Sequence, residues 1–217
     1  MKPYYDHNGI TIYHGDCRDI LPELEPVDVI LTDPPWPESQ ENVNAGFDPY
    51  ELLAGAGEHF QRLAGSGRVI VVLGQRSDPR ILAELPRDLK FFTRCWLMRI
   101  PPSYKGSLMV SADIAYVYGP GWLPRKGKRV LQPQNFVPSK GNRIYGMGHP
   151  CPRNEQHIQW LIYEFTREGH VILDPFVGSG VTLSAARRLG HPAIGIDIQE
   201  SNCEIAAKRL SQEVLAL

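Results

Sequence analysis

Short apolar runs alternate along the chain with segments in which apolar residues recur every three or four positions. This alternation is typical of strands separated by helices, and it predicts an α/β fold with a mostly parallel twisted sheet flanked by helices. The predicted strands are residues 10–14, 27–32, 68–73, 171–173 and 193–196, and residues 91–100 and 112–118 form a candidate antiparallel pair.

The helical spacing predicts four helices between and after these strands. The first lies near residues 50–60, although two glycines weaken it, and the second covers residues 158–165. A third, rich in small residues, is expected to end at Gly190 as its C-terminal cap. The last runs to the C-terminus from Ser201, a residue type that favours the N-cap.

Acidic residues stand at or just after the ends of four predicted strands. They are Asp16, Asp33, Asp174 and Asp197. In open α/β sheets, ligands bind at the carboxyl ends of the parallel strands. Four acidic ends that meet at one edge therefore predict a binding site, although any one of them alone could be a surface residue.

The segment Asp174-Pro175-Phe176-Val177-Gly178-Ser179-Gly180 predicts a strand, a tight glycine turn and a helix. Asp197, at the end of the next strand, suits the two hydroxyls of a ribose. Leu183 occupies the position of the third glycine in a dinucleotide fingerprint, and no phosphate-binding lysine follows. A nucleoside cofactor without a pyrophosphate fits this pattern better than a dinucleotide, which is the alternative.

A second motif, Asp33-Pro34-Pro35-Trp36, follows the strand predicted at 27–32. The prolines restrict the backbone and lack N–H donors, which leaves carbonyl oxygens as acceptors. The Asp33 carboxylate and the Pro34 carbonyl would offer two acceptors close together, and Trp36 a flat stacking surface. This set suits an exocyclic amino group on a flat base. A plain turn after a strand is the alternative.

Composition narrows the class of protein. The 217 residues are 42% apolar and 22% charged, which indicates one globular domain over residues 1–217 and excludes a disordered or fibrous chain. No apolar run is long enough for a membrane helix, and we expect the first residues not to be a signal peptide, because they contain no apolar core. The four cysteines are far apart, so we expect reduced thiols, no metal site and a cytoplasmic location.

The net charge of −1 hides an uneven distribution. Between Asp113 and Glu155 there is no acidic residue but seven basic ones, among prolines, glycines and aromatics. Such a patch is typical of contact with a nucleic-acid backbone, and a solvated loop is the alternative. Residues 119–148 are therefore expected to be a short basic insertion that recognises the target. The candidate contacts are Trp122, Arg125, Lys126, Lys128, Arg129, Lys140 and Arg143.

Together, in this order, the two motifs resemble those of the DNA amino-methyltransferases that use S-adenosylmethionine. The similarity is to the permuted β-class group, whose catalytic motif precedes the cofactor motif. It covers residues 12–16, 27–36, 149–153, 171–180 and 195–197. The resemblance implies a Rossmann-like methyltransferase fold with circularly permuted motif order. It also implies methyl transfer to N6 of adenine, in a target base flipped out of DNA, as in restriction-modification. Members often dimerise, so a homodimer is a further expectation.

The matching positions imply the site residues. Catalytic roles fall to Asp33, Pro34, Pro35 and Trp36. Among the cofactor residues, Asp197 would hold the ribose hydroxyls and Asp16 the adenine amino group. The full cofactor set is Asp16, Cys17, His149, Asp174, Phe176, Gly178, Ser179, Gly180 and Asp197.

Other functions remain as alternatives. Methyl transfer to N4 of cytosine or to adenine in RNA keeps the same cofactor, but family members acting on cytosine usually have serine in place of Asp33. A nucleotide-dependent oxidoreductase is disfavoured by Leu183, and a non-catalytic DNA-binding module by the intact motifs. Pro150-Cys151 and residues 41–43 echo cytosine carbon-5 methyltransferases, but their order is reversed, and Cys151 is better explained as a structural thiol.

Overall fold

A computed structural model describes residues 1–37, 48–105, 108–121, 135–136 and 154–214. Within these ranges nine strands form one sheet in the order β1-β2-β9-β8-β3-β4-β6-β5-β7. The strands are β1 (Tyr5–His7), β2 (Ile10–His14), β3 (Val29–Thr32), β4 (Arg68–Gly74), β5 (Phe91–Lys105), β6 (Leu108–Tyr118), β7 (Asn135–Phe136), β8 (Ile172–Asp174) and β9 (Ala193–Asp197).

The centre of the sheet is parallel, as the alternation of strands and helices predicted. The five consecutive strands β2, β9, β8, β3 and β4 pair with one another in parallel, whereas β6 is antiparallel to both β4 and β5. The candidate antiparallel pair is therefore confirmed, and both strands extend beyond the predicted bounds. β1 adds an antiparallel edge, and β7, inside the acid-free stretch, pairs with β5 in parallel.

Helices cover both faces of this sheet. They are α1 (Cys17–Ile20), α2 (Pro49–Gly57), α3 (Phe60–Ala64), α4 (Glu155–Phe165), α5 (Val181–Arg188) and α6 (Glu200–Val214), with 3-10 turns at Leu21–Glu23 and Pro79–Glu84. The helix predicted near 50–60 is thus two helices. Gly190 follows the end of α5 with a φ of +76°, as expected of a residue that ends a helix.

The prediction that Ser201 caps the last helix is wrong. α6 begins at Glu200, which makes the exposed Ser201 its second residue. The side chain that stabilises the start of α6 is instead Asp197. Its Oδ1 accepts hydrogen bonds from Gln199 N, directly before the helix, at 2.9 Å and from Asn202 Nδ2, in the first turn, at 3.1 Å. A preference for serine at N-caps cannot reveal this arrangement, because the acceptor comes from the end of the preceding strand.

Two apolar cores lie on the two sides of the sheet. β4 contributes to both, since Ile70 and Val72 belong to one cluster while Val71 and Leu73 belong to the other. All seven residues of β4 are buried, which explains the uninterrupted apolar run from Val69 to Leu73. Among the helices that the structure describes, none is long and apolar enough to span a membrane.

The strand order brings the four predicted acidic ends to one edge. β2, β9, β8 and β3 are consecutive parallel neighbours. Asp16, Asp197, Asp174 and Asp33 therefore follow one another along the carboxyl edge of the sheet, as predicted. β8 and β3 are distant in sequence but adjacent in space, so the two main motifs meet.

Candidate active site

The glycine turn after β8 depends on a left-handed backbone. Gly178 has a φ of +49° and Gly180 a φ of +76°, a region that side-chain-bearing residues rarely adopt. Gly180 also lies against α6, where a Cβ would come within 2.7 Å of the Cβ of Ala206. Glycine at this position therefore satisfies both the turn and the close approach of α6.

Gly195 explains why the helix after the turn tolerates Leu183. A Cβ on Gly195, in β9, would lie 2.8 Å from Leu183 Cδ1 and 2.7 Å from Val177 Cγ2. In dinucleotide sites the third glycine of the fingerprint permits close packing between helix and strand. In this chain the glycine that permits close packing is Gly195 in the strand, and the residue that packs against it from the helix is Leu183.

The Asp197 carboxylate holds the turn to β9. Its Oδ2 accepts a hydrogen bond from Gly178 N at 2.9 Å, while Oδ1 accepts from Gln199 N and Asn202 Nδ2. Asp197 is buried, with only 8% of its surface exposed. The residue predicted for the ribose hydroxyls therefore also connects the turn, β9 and the start of α6.

Asp174 is the most buried acidic group of the site, with 2% exposure. Its Oδ1 accepts hydrogen bonds from Phe176 N at 3.1 Å and from Thr32 Oγ1 at 3.2 Å. Burial raises the pKa of Asp174 to about 7, and the nearby Asp33 adds to the rise, while the hydrogen bonds, including one from Thr182, oppose it. The carboxyl therefore joins the glycine turn to the end of β3.

The Asp33–Trp36 motif contains an internal hydrogen bond. Trp36 Nε1 donates to Asp33 Oδ1 at 3.0 Å. The six-membered ring of the indole lies against Gly74 at the end of β4, where a Cβ would be 2.8 Å from Trp36 Cζ3. Pro34 is buried, and Asp33, Pro35 and Trp36 are partly exposed. The motif is therefore positioned by two strands, β3 and β4.

Asp16 stands at the end of β2 and caps α1. Its carboxylate accepts hydrogen bonds from Arg18 N at 2.9 Å and from the Arg18 guanidinium, which lowers the pKa of Asp16. Gly15 N donates to the Asp197 carbonyl at 2.9 Å, so Asp16 lies beside the end of β9. Cys17 is buried in the core, and burial raises its thiol pKa to about 12.

Several predicted residues lie outside the described ranges. These are His149 of the cofactor set, Cys151, and the basic-stretch residues Trp122, Arg125, Lys126, Lys128, Arg129, Lys140 and Arg143. The segment 38–47, which contains residues 41–43, is also outside them. Their predicted roles stay predictions.

A family model described as DNA methylase matches residues 87–208. The match covers more than half of the chain. This chain belongs to the DNA methylase family. The recognition of an S-adenosylmethionine-dependent DNA amino-methyltransferase is therefore confirmed, whereas membership of the permuted β-class stays a prediction.

Curated relatives of this chain, the methylase, are also methyltransferases. It is 25% identical over 272 residues to the Type II methyltransferase M2.DpnII of Streptococcus pneumoniae, with 98% of this chain and 93% of the relative covered. It is also 25% identical to the Type II methyltransferase M.ScaI of Streptomyces caespitosus, over 266 residues that cover 100% of this chain and 86% of the relative.

Solved structures share the fold of the methylase. The M1.HpyAVI–SAM complex matches with a TM-score of 0.72 at 22% identity, covering 93% of this chain and 98% of that chain. The cytosine-N4-specific PvuII DNA methyltransferase matches with a TM-score of 0.70 at 16% identity, covering 96% and 88%. These likenesses confirm the predicted Rossmann-like α/β fold, while the circular permutation stays a prediction.

Four residues that shape the site of the methylase were missed from sequence. Thr32 donates a hydrogen bond to Asp174, and Gly74 lies against the Trp36 ring. Asn202 and Arg18 donate hydrogen bonds to Asp197 and Asp16, respectively. The position of Thr32 directly before Asp33 was one available signal. The roles of Gly74 and Asn202 depend on contacts across the fold, for which the sequence offers no motif.

Proposed function

We propose that this methylase transfers the methyl group of S-adenosylmethionine to the exocyclic N6 of adenine in DNA. The observation that carries the proposal is the contact between the two motifs. Thr32, which precedes Asp33, donates to Asp174 at the start of the glycine turn, at 3.2 Å. A base held by Asp33 would thus lie beside a cofactor held by the turn.

The residues of the turn fit a nucleoside cofactor. The hydrogen-bond acceptors are carboxylates at the ends of adjacent strands, Asp197 for the ribose hydroxyls and Asp16 for an adenine amino group. Bound S-adenosylmethionine supplies an electrophilic methyl group on a sulfonium. Phe176, Gly178, Ser179 and Gly180 would line the methionine and ribose side, as the family resemblance implies. The protein's own contribution is to bind and orient.

The catalytic motif would make the amino nitrogen reactive. The lone pair of an adenine amino group is spread into the ring, which makes it a poor nucleophile. Two hydrogen bonds, accepted by the Asp33 carboxylate and the Pro34 carbonyl, would localise that lone pair. Stacking on Trp36 would hold the ring in line, so the motif acts through positioning and preorganised acceptors.

Adenine is preferred over cytosine because position 33 is acidic. Family members that act on N4 of cytosine usually have serine there. The two reactions share the fold, since the cytosine-N4-specific PvuII enzyme has a TM-score of 0.70 to this chain. Transfer to N4 of cytosine is therefore the second candidate function.

The amino group of a paired base is hidden in duplex DNA, so the target must leave the stack to enter this pocket. The basic stretch, within residues 119–148, is proposed to bind the backbone around the flipped base. Charge reversal at Arg125, Lys126, Lys128 and Arg129 should weaken DNA binding and flatten its salt dependence. An unchanged salt slope would return this stretch to the status of a solvated loop.

The reaction is tested by incubating the enzyme with labelled S-adenosylmethionine and genomic DNA, followed by nucleoside mass spectrometry. We expect N6-methyladenine, and N4-methylcytosine as the sole product would overturn the choice of base. Asp33→Ala should lower the rate by about 10²-fold or more, while calorimetry shows unchanged binding of S-adenosylmethionine. A variant with near-native activity would disprove the assignment of the base pocket.

A further inference from the structure

Thr32 lies beyond the point where the backbone pairing between the central strands β3 and β8 ends. β3 pairs with β8 through Val29 with Ile172 and Ile30 with Leu173. Thr32 lies two residues beyond the last of these pairs, directly before Asp33. Its hydroxyl donates to Asp174 Oδ1 at 3.2 Å, so a side-chain hydrogen bond continues the connection where the backbone pairing ends.

The acceptor of this bond is connected to the cofactor turn. Asp174 Oδ1 also accepts from Phe176 N at 3.1 Å, inside the turn, and Thr182 donates to the same carboxyl from α5. Thr32 and Asp174 are 1% and 2% exposed, respectively. The bond is therefore shielded from water, which would compete with it at the surface.

We propose that Thr32 is a positioning residue that couples the cofactor turn to the base-binding motif. Through Asp174, its hydroxyl sets the end of β3, and with it Asp33, relative to the turn. The inference rests on the proposed methyl transfer but not on which base is methylated. This bond joins two residues that are 142 positions apart in sequence, and a misplacement of the acceptors by about 1 Å can cost roughly 10²-fold in rate.

The ionisation of Asp174 should affect this coupling. A hydroxyl donates most strongly to an ionised carboxylate. The Thr32 and Thr182 hydroxyls and Phe176 N face this carboxyl, and the charged group that acts on it among the described residues is Asp33. Because both threonine hydrogen bonds favour the ionised form, removing either one should move the ionisation of Asp174 to higher pH.

The test compares Thr32→Val with Thr182→Val. Both substitutions remove a hydroxyl donor to Asp174, but only Thr32→Val cuts the connection to β3. We expect both substitutions to shift the acidic limb of the pH–rate profile to higher pH. Only Thr32→Val should also lower the plateau kcat, by about tenfold or more, with unchanged affinity for S-adenosylmethionine in calorimetry. Thr32→Ser, which keeps the hydroxyl, should restore the plateau.

Equal losses of plateau kcat in Thr32→Val and Thr182→Val would overturn the proposal, because Asp174 would then need only general support. A plateau kcat of Thr32→Val equal to that of the wild type would overturn the proposal as well. If Thr32→Val does not fold, a kcat of Thr182→Val well below wild type at the plateau would have the same meaning. These comparisons use whichever methylated base the wild type produces, so a wrong choice of base is recognised separately by mass spectrometry.

Discussion

Trp36 Nε1 donates a hydrogen bond of 3.0 Å to Asp33 Oδ1. The ring proposed to stack on the target base thus also orients the carboxylate proposed to bind its amino group. A carboxylate has two oxygens with two lone pairs each, so this bond takes up only part of the acceptor capacity of Asp33. Gly74 allows the arrangement, because a Cβ there would lie 2.8 Å from the indole.

We expect Trp36→Phe to lower kcat by about tenfold, since the ring remains but the donor that orients Asp33 is lost. Binding of S-adenosylmethionine, measured by calorimetry, should not change. Trp160→Phe is the matched control, because Trp160 packs against the core on the other side of the sheet. Equal rates for wild type and Trp36→Phe would mean that the indole N–H does not orient Asp33.

Asp197→Asn should weaken cofactor binding and lower stability. The amide group keeps one acceptor oxygen but turns a donor toward a protein N–H, so either Gly178 N, or Gln199 N together with Asn202 Nδ2, loses its partner. An unsatisfied buried N–H costs about 1–3 kcal/mol. Asn202→Ala, which removes a single donor from Asp197, should have the smaller effect. Calorimetry measures the cofactor affinity of the two variants, and thermal unfolding measures their stability. A larger loss of affinity and stability in Asn202→Ala than in Asp197→Asn would contradict the assigned role of Asp197.

Gly180→Ala should destabilise the fold more than Gly190→Ala. Both glycines have a φ of +76°, so alanine meets the same backbone strain, about 1–2 kcal/mol, at either position. A Cβ at Gly180 would lie 2.7 Å from the Cβ of Ala206, whereas one at Gly190 has no atom within 4 Å. Urea unfolding measures the difference, and equal losses would show that α6 moves away freely.

The buried Asp174 should make stability depend on pH. Its folded pKa, raised to about 7 by burial, exceeds the value of about 3.9 expected when unfolded. The folded state therefore retains the proton longer, and the resulting stabilisation, complete below about pH 4, is lost as pH rises through about 7. We expect the melting temperature of Asp174→Asn to rise relative to that of the wild type as the pH increases from 5 to 8. Parallel curves would mean that Asp174 keeps an ordinary pKa.

Much of the fold followed from local pattern. The five parallel central strands were predicted because each is a short run rich in β-branched and other apolar residues that ends at glycine or aspartate. The convergence of Asp16, Asp33, Asp174 and Asp197 was also predicted, since parallel strands share one carboxyl edge. Helix ends were less predictable, as α6 shows, because Asp197 in the preceding strand supplies the acceptor at its start.

Residues 33–36 and 174–180 are each contiguous in sequence, which is why neighbouring residue types were enough to predict them as candidate site motifs. The contacts that hold the motifs together are not local. Thr32 meets Asp174 across 142 residues, and Gly74 receives Trp36 from a different strand. Such partners exist only once the order of strands is set, because that order brings distant segments within reach of a hydrogen bond.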